Sequence, residues 1–150
     1  MKKLYYEPKK CNACKTCEVV CSVGHSPSQD LASVILEGNA ALPRVKVYSG
    51  EGEGNYLVAC RHCKDYPCLN ACIAGALEYD PEKGLLFDAE KCVGCWMCVM
   101  VCPYGAVRSD SRSAKSVRCD LCADINDPRC AKSCPTKAII YTEEKKDKVE

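Results

Sequence analysis

The feature that most constrains this chain is the arrangement of its cysteines. There are sixteen in 150 residues, about 11% of the chain and well above ordinary usage. They fall into four groups of four with none left over. The first is Cys11, Cys14, Cys17 and Cys21, separated by two, two and three residues. The second is Cys60, Cys63, Cys68 and Cys72, separated by two, four and three. The third, Cys92, Cys95, Cys98 and Cys102, repeats the spacing of the first and is followed by Pro103. The fourth is Cys119, Cys122, Cys130 and Cys134, separated by two, seven and three and followed by Pro135. The aliphatic inventory is thin: Leu, Ile, Val and Phe together number 29. Such a level accompanies disorder when net charge is high, but here it is only +1. The cysteines must therefore help hold the fold. With 21 basic and 20 acidic residues, there is no electrostatic case for binding nucleic acid or an anionic membrane.

Disulfides, zinc sites and iron–sulfur clusters compete to explain such a chain. The N-terminal lysines Lys2 and Lys3 are followed by Glu7 and Pro8 before any apolar run can form, so no signal peptide is read. No stretch approaches the ~18 apolar residues of a membrane span. The expectation is a soluble, cytoplasmic chain with reduced thiols, which disfavours disulfides. The third group matches the bacterial ferredoxin run C-x2-C-x2-C-x3-C-P. Three cysteines on one tight loop can offer three thiolates to one cubane. The fourth lies about one helical turn further on, so it points away toward the other cluster of a pair. Structural zinc prefers two separated C-x2-C pairs, and two groups with cysteines at i, i+3 and i+6 exceed that need. Zinc in a structural or interaction protein is the alternative reading.

The groups sit in a repeat. Cys72-Ile73-Ala74-Gly75-Ala76-Leu77 aligns with Cys102-Pro103-Tyr104-Gly105-Ala106-Val107 and with Cys134-Pro135-Thr136-Lys137-Ala138-Ile139. Each copy predicts a turn, a small residue and a short strand. Residues 77–79 and 85–87 read as a hairpin around Asp80-Pro81-Glu82-Lys83-Gly84. Residues 139–141 are a strand candidate that can pair with 4–6. Short helices are expected at 17–23, 30–37 and 96–102, a strand at 44–48, and a flexible glycine-rich loop at 50–54. The fold class is α+β. Two ferredoxin-like units with short hairpins and helices are expected, one inserted in the other and organised around clusters. Residues 55–112 form the inner unit; 1–54 plus 113–150 form the outer, with 22–54 as an insertion.

With its second and fourth groups widened, the chain resembles the four-cluster electron-transfer subunits of oxidoreductases. That family includes the iron–sulfur subunits of dimethyl sulfoxide reductase, formate dehydrogenase and carbon monoxide dehydrogenase. Cys17-Glu18-Val19-Val20-Cys21-Ser22-Val23-Gly24-His25-Ser26, with Pro43-Arg44-Val45 later, is most similar to the carbon monoxide dehydrogenase-associated subunit. Cys60-Arg61-His62-Cys63 is similar to the second motif of the whole family. The resemblance implies four [4Fe–4S] clusters whose motifs exchange their fourth cysteines. Cys11, Cys14 and Cys17 would take Cys134, and Cys119, Cys122 and Cys130 would take Cys21. Cys60, Cys63 and Cys68 would take Cys102, and Cys92, Cys95 and Cys98 would take Cys72. Cys21 and Cys72 lack the following proline, and the seven-residue gap of the fourth motif is short for the family.

The resemblance further implies an electron-transfer subunit without catalysis of its own. Its partners would be a catalytic oxidoreductase subunit and a second redox protein or flavin subunit. Candidate catalytic partners are a carbon monoxide dehydrogenase, a molybdenum- or tungsten-containing aldehyde or formate oxidoreductase, and a hydrogenase. The residues agree: there is no nucleotide-binding glycine motif after a strand, no P-loop and no spare cysteine for a nucleophile. Reduction of a small molecule directly at an exposed cluster is a third reading. Among other residues, Trp96 is expected to pack over a cluster, His62 to be a hydrogen-bonding neighbour and His25 a loop residue. Arg108, Arg112, Lys115 and Arg118 are expected to form a solvated basic linker, and the tail from Glu143 to Glu150 to be frayed.

Overall fold

The computed structural model describes residues 2–50, 54–125 and 127–143. Among these residues the architecture is α+β, built from short helices and four two-stranded antiparallel sheets. Strand β1 (Lys2–Tyr6) pairs with the last strand, β8 (Ile139–Glu143), in the register Leu4↔Tyr141, Tyr5↔Ile140 and Tyr6↔Ile139. Residues 2–6 and 139–143 are thus tied together, and residues 7–138 lie between them in sequence. The expected central hairpin is present as β4 (Leu77–Asp80) with β5 (Gly84–Phe87). The Asp80 carboxylate closes its turn by accepting from the amides of Glu82 and Lys83, both at 2.8 Å.

Two hairpins were not legible. One joins β2 (Lys46–Tyr48) to β3 (Tyr56–Val58), with Tyr48 stacked on Tyr56 at 5.2 Å. The other joins β6 (Arg108–Asp110) to β7 (Lys115–Val117). The second corrects the expected basic linker. Arg108-Ser109-Asp110 has no apolar alternation to announce a strand, but Asp110 accepts from Arg112 N at 3.0 Å and from Ser113 Oγ at 3.1 Å. That local bonding favours a turn, and Ala114 completes it at φ 54°. The glycine-rich loop at 50–54 and the charged tail lie largely outside the described residues.

Helix α1 (Thr16–Gly24) buries Cys17, Cys21 and Gly24, with Glu18, on one face, as positions i, i+4 and i+7 require. Gly24 permits close approach to α5 (Arg129–Lys132): a Cβ there would lie 2.4 Å from Arg129 Cδ. Helix α2 (Leu31–Glu37) starts at Asp30, whose carboxylate accepts from Ser33 N and Ser33 Oγ at 3.0 Å each. It ends at Gly38 with φ 63°. Helices α3 (Pro67–Asn70) and α4 (Met97–Met100) are single turns.

Two cores follow. One gathers Cys17, Cys21, Val45, Val47, Cys119, Leu121, Cys130 and Ile139; the other gathers Leu77, Leu85, Cys98 and Val107. In the three repeats, Ala76, Ala106 and Ala138 and the aliphatic residue after each are all buried. Among the described residues no helix is long and apolar enough to cross a membrane.

Candidate metal centres

The cysteine loops share a backbone device. The residue two beyond the first cysteine of each group has positive φ: Ala13 at 55°, His62 at 46°, Gly94 at 68° and Leu121 at 60°. In three groups the residue two before the third cysteine is also left-handed: Lys15 at 59°, Tyr66 at 43° and Trp96 at 62°. The fourth departs, because Pro128 at that place holds φ at −58°; there Cys122 itself takes φ 50°. Non-glycine residues seldom adopt this conformation, so its recurrence at matched positions needs a cause. Alternating right- and left-handed residues turn successive N–H groups toward one side and make an anion-binding nest, a device common at iron–sulfur sites.

Three small cavities each collect four cysteines. Cys11, Cys14 and Cys17 meet Cys134. Cys60, Cys63 and Cys68 meet Cys102. Cys92, Cys95 and Cys98 meet Cys72. The remaining four, Cys21, Cys119, Cys122 and Cys130, are all buried, and a charge on Cys21 or Cys122 would be felt at Cys130. Backbone amides point at the sulfurs: Arg44 N lies 3.2 Å from Cys21 Sγ, Ala76 N 3.3 Å from Cys72 Sγ, and Ala106 N 3.4 Å from Cys102 Sγ. Ala76 and Ala106 are equivalent in the repeat, which explains the small residue there: its amide must reach the sulfur four residues back.

Thiol acidity separates buried from exposed positions. Burial pushes Cys17 and Cys60 up to about 11 and Cys130 up to about 12, and Cys119 well above its ordinary value. Such thiols stay protonated until a cation displaces the proton, so metal loading and folding are linked. At exposed Cys14 the Thr16 hydroxyl, 3.3 Å from the sulfur, lowers the pKa. A set of soft sulfur donors ringed by N–H groups suits an anionic iron–sulfur cluster better than a hard cation.

The flanking residues depart from expectation in part. Trp96 lines the cavity of Cys72, Cys92, Cys95 and Cys98. His62 is 2% exposed, its Nδ1 faces Leu85 N at 3.4 Å, and burial lowers its pKa to about 4. His25 is no simple loop residue. It caps α1, with Nδ1 2.7 Å from Cys21 O and Nε2 3.4 Å from Asp120 Oδ1. Burial opposes its charging, but the bonds to Asp120 and Cys21 prevail and raise its pKa to about 9. Asp120 also binds the Arg44 guanidinium, which ties the 22–54 segment to the fourth motif. Arg118 is a larger correction. It is 4% exposed, and its Nη2 donates to Ser116 Oγ at 2.8 Å and lies 3.6 Å from Cys98 Sγ. The other bonds invisible from spacing are long-range as well, such as the buried Glu18 carboxylate accepting from Val47 N at 2.8 Å.

The family described as 4Fe-4S dicluster domain matches residues 56–144, which carry the second, third and fourth cysteine groups. The chain belongs to this 4Fe-4S dicluster family. Relatives of this dicluster protein extend the match over nearly its full length. The electron transport protein HydN of Escherichia coli (strain K12) is 39% identical, covering 93% of this chain and 87% of HydN. A protein of Rhodospirillum rubrum called iron-sulfur protein is 36% identical, covering 91% and 79%. Among solved structures, the active-site complex BamBC of benzoyl coenzyme A reductase has a chain that aligns with a TM-score of 0.52 at 22% identity, covering 95% of this chain and 79% of that one. That likeness concerns the fold. The sixteen cysteines of this dicluster-family protein fit four [4Fe–4S] clusters.

Proposed function

We propose that this protein is the electron-relay subunit of an oxidoreductase complex, holding four [4Fe–4S] clusters and performing no catalysis of its own. The observation that carries the reading is the division of sixteen cysteines into four sets of four, with left-handed loops at matched positions. In this reading Cys11, Cys14, Cys17 and Cys134 hold one cluster and Cys119, Cys122, Cys130 and Cys21 a second. Cys60, Cys63, Cys68 and Cys102 hold the third, and Cys92, Cys95, Cys98 and Cys72 the fourth. Two ferredoxin-like units, one inserted in the other, then carry two clusters each.

When bound, each cluster takes up and gives back one electron, at a potential within roughly −700 to +450 mV. The chain's own residues set the path. Of the sixteen cysteines only Cys14 and Cys95 are exposed, one in the first group and one in the third. They mark the two ends at which electrons enter and leave. The other fourteen are buried or half-buried, which limits the access of water, and the backbone amides at Cys21, Cys72 and Cys102 stabilise sulfur charge. One end meets a catalytic subunit and the other a second redox protein or a flavin subunit. The relatives' names, electron transport protein and iron-sulfur protein, support the relay. The resemblance of the first motif favours a carbon monoxide dehydrogenase as catalytic partner over a formate or aldehyde oxidoreductase or a hydrogenase.

Anaerobic purification followed by iron and acid-labile sulfide analysis tests the reading. About sixteen of each per chain are expected for four cubanes; zinc without sulfide overturns it. Co-purification from the native host with a catalytic oxidoreductase subunit is the expected partner result, and recovery only as a free monomer counts against it.

A further inference from the structure

Arg118 is 4% exposed, and among the described residues no carboxylate forms an ion pair with it. Nη2 reaches Ser116 Oγ and Cys98 Sγ, while Nε and Nη1 are buried without any hydrogen-bond partner. The guanidinium also lies over the Phe87 ring, 5.2 Å from its centroid. A guanidinium carries a fixed positive charge, and a buried charge without an opposite charge is strongly unfavourable. Something anionic must therefore complete its surroundings. Arg118 lines the cavity of Cys72, Cys92, Cys95 and Cys98, and its charge also reaches Cys60 and Cys68, which line the neighbouring cavity.

We propose that Arg118 is a positioning residue that sets the order of reduction along the relay: it holds the cluster at Cys72, Cys92, Cys95 and Cys98 at a higher potential than an otherwise identical site without it. This rests on the four-cluster reading above. The physical reason is charge. A cubane with four thiolates is a net anion, and the one electron it accepts from a partner reductant adds one further negative charge. A cation beside it, donating to one ligand sulfur, favours the reduced form. The effect is greatest at the cluster whose sulfur it touches and weaker at the Cys60 and Cys68 site, where the charge acts only through space. The sequence hides this role, because Arg118 reads as one more member of a basic run. Its neighbours Arg112 and Lys115 are spent otherwise, Arg112 beside Asp110 and Lys115 on the Cys92 carbonyl.

The test is a mediated reductive titration of the purified holoprotein with dithionite, followed by electron paramagnetic resonance, in wild type and Arg118→Gln. Cys95→Ser, which alters a ligand of the same site, identifies the relevant midpoint independently. The expected result is a downward shift of that midpoint in Arg118→Gln, a smaller downward shift of one other, and two unmoved. Unchanged midpoints in a variant with full iron and sulfide overturn the inference and leave the four-cluster reading standing; wild-type protein without sulfide overturns that reading instead. A second measurement needs no variant. Wild-type protein labelled with guanidino-15N arginine is expected to show 15N hyperfine coupling at the reduced Cys98 cluster, and its absence there overturns the inference.

Discussion

The first and third cysteine groups have the same spacing and the same left-handed positions, yet the regions around them are built differently. Around the first group, Cys17, Cys21, Cys119, Cys122 and Cys130 are all buried, with a nine-residue helix that packs on α5 and a hairpin strand that contributes Val47, preceded by the equally buried Val45, to the core. Around the third, only Cys98 is buried, helices α3 and α4 are single turns, and the core is four residues. Loop geometry is therefore a property of the motif, whereas burial is a property of what is packed over it. The 22–54 segment contributes to that cover through Val45 and Val47. It places the Glu18 carboxylate on Val47 N and brings Arg44 to Asp120.

The contrast can be broken most strongly at the ligands. Cys130→Ser removes a buried sulfur from the core it shares with Cys17, Cys21 and Cys119. Loss of about four of sixteen irons is expected, with collapse of α1 and α5 in circular dichroism. Cys95→Ser, at an exposed position, is expected to retain the helices while shifting one midpoint; equal damage from both would erase the distinction. Asp120→Ala comes next. It strips the partner from Arg44 and His25 and the turn acceptor from Cys122 N, which donates at 3.1 Å. A loss of about 2 kcal/mol is expected, read from thermal unfolding of the holoprotein, with accelerated hydrogen exchange at 41–48. Exchange spreading equally to the β4–β5 hairpin would contradict a local role.

Glu18→Gln keeps an acceptor for Val47 N but loses the charge facing Lys46 Nζ, 3.3 Å away. About 1 kcal/mol is expected, with no change at 77–87. The smallest effect belongs to Asp30→Ala. The cap bonds to Ser33 are exposed, so faster exchange confined to 31–37 is expected, with no loss of iron. Iron loss in that variant would show the insertion to be coupled to the centres through α2.

Much of the fold was readable because its signals are local. The repeat at Cys72, Cys102 and Cys134 announced the buried Ala76, Ala106 and Ala138, and the turn residues 80–84 between 77–79 and 85–87 announced the central hairpin. The pairing of 4–6 with 139–141 was legible because both segments are apolar and lie at the chain ends. The β2–β3 and β6–β7 hairpins were not, since β3 has three residues and β6 is polar throughout. The β6–β7 hairpin turns within 111–114. His25 was read as a loop residue because its partner, Asp120, is 95 residues away.

The sequence by itself determined the chemistry of this protein. Ligand identity and spacing act over a few residues, and a tight loop between cysteines presents its thiolates together wherever it sits. Tertiary structure alone decided the surroundings of those thiolates: which are buried, which two are exposed, and that Arg118 faces a cysteine sulfur rather than solvent. Those properties depend on segments distant in sequence meeting in space, and burial is what turns an ordinary arginine into a charge that needs an anion beside it.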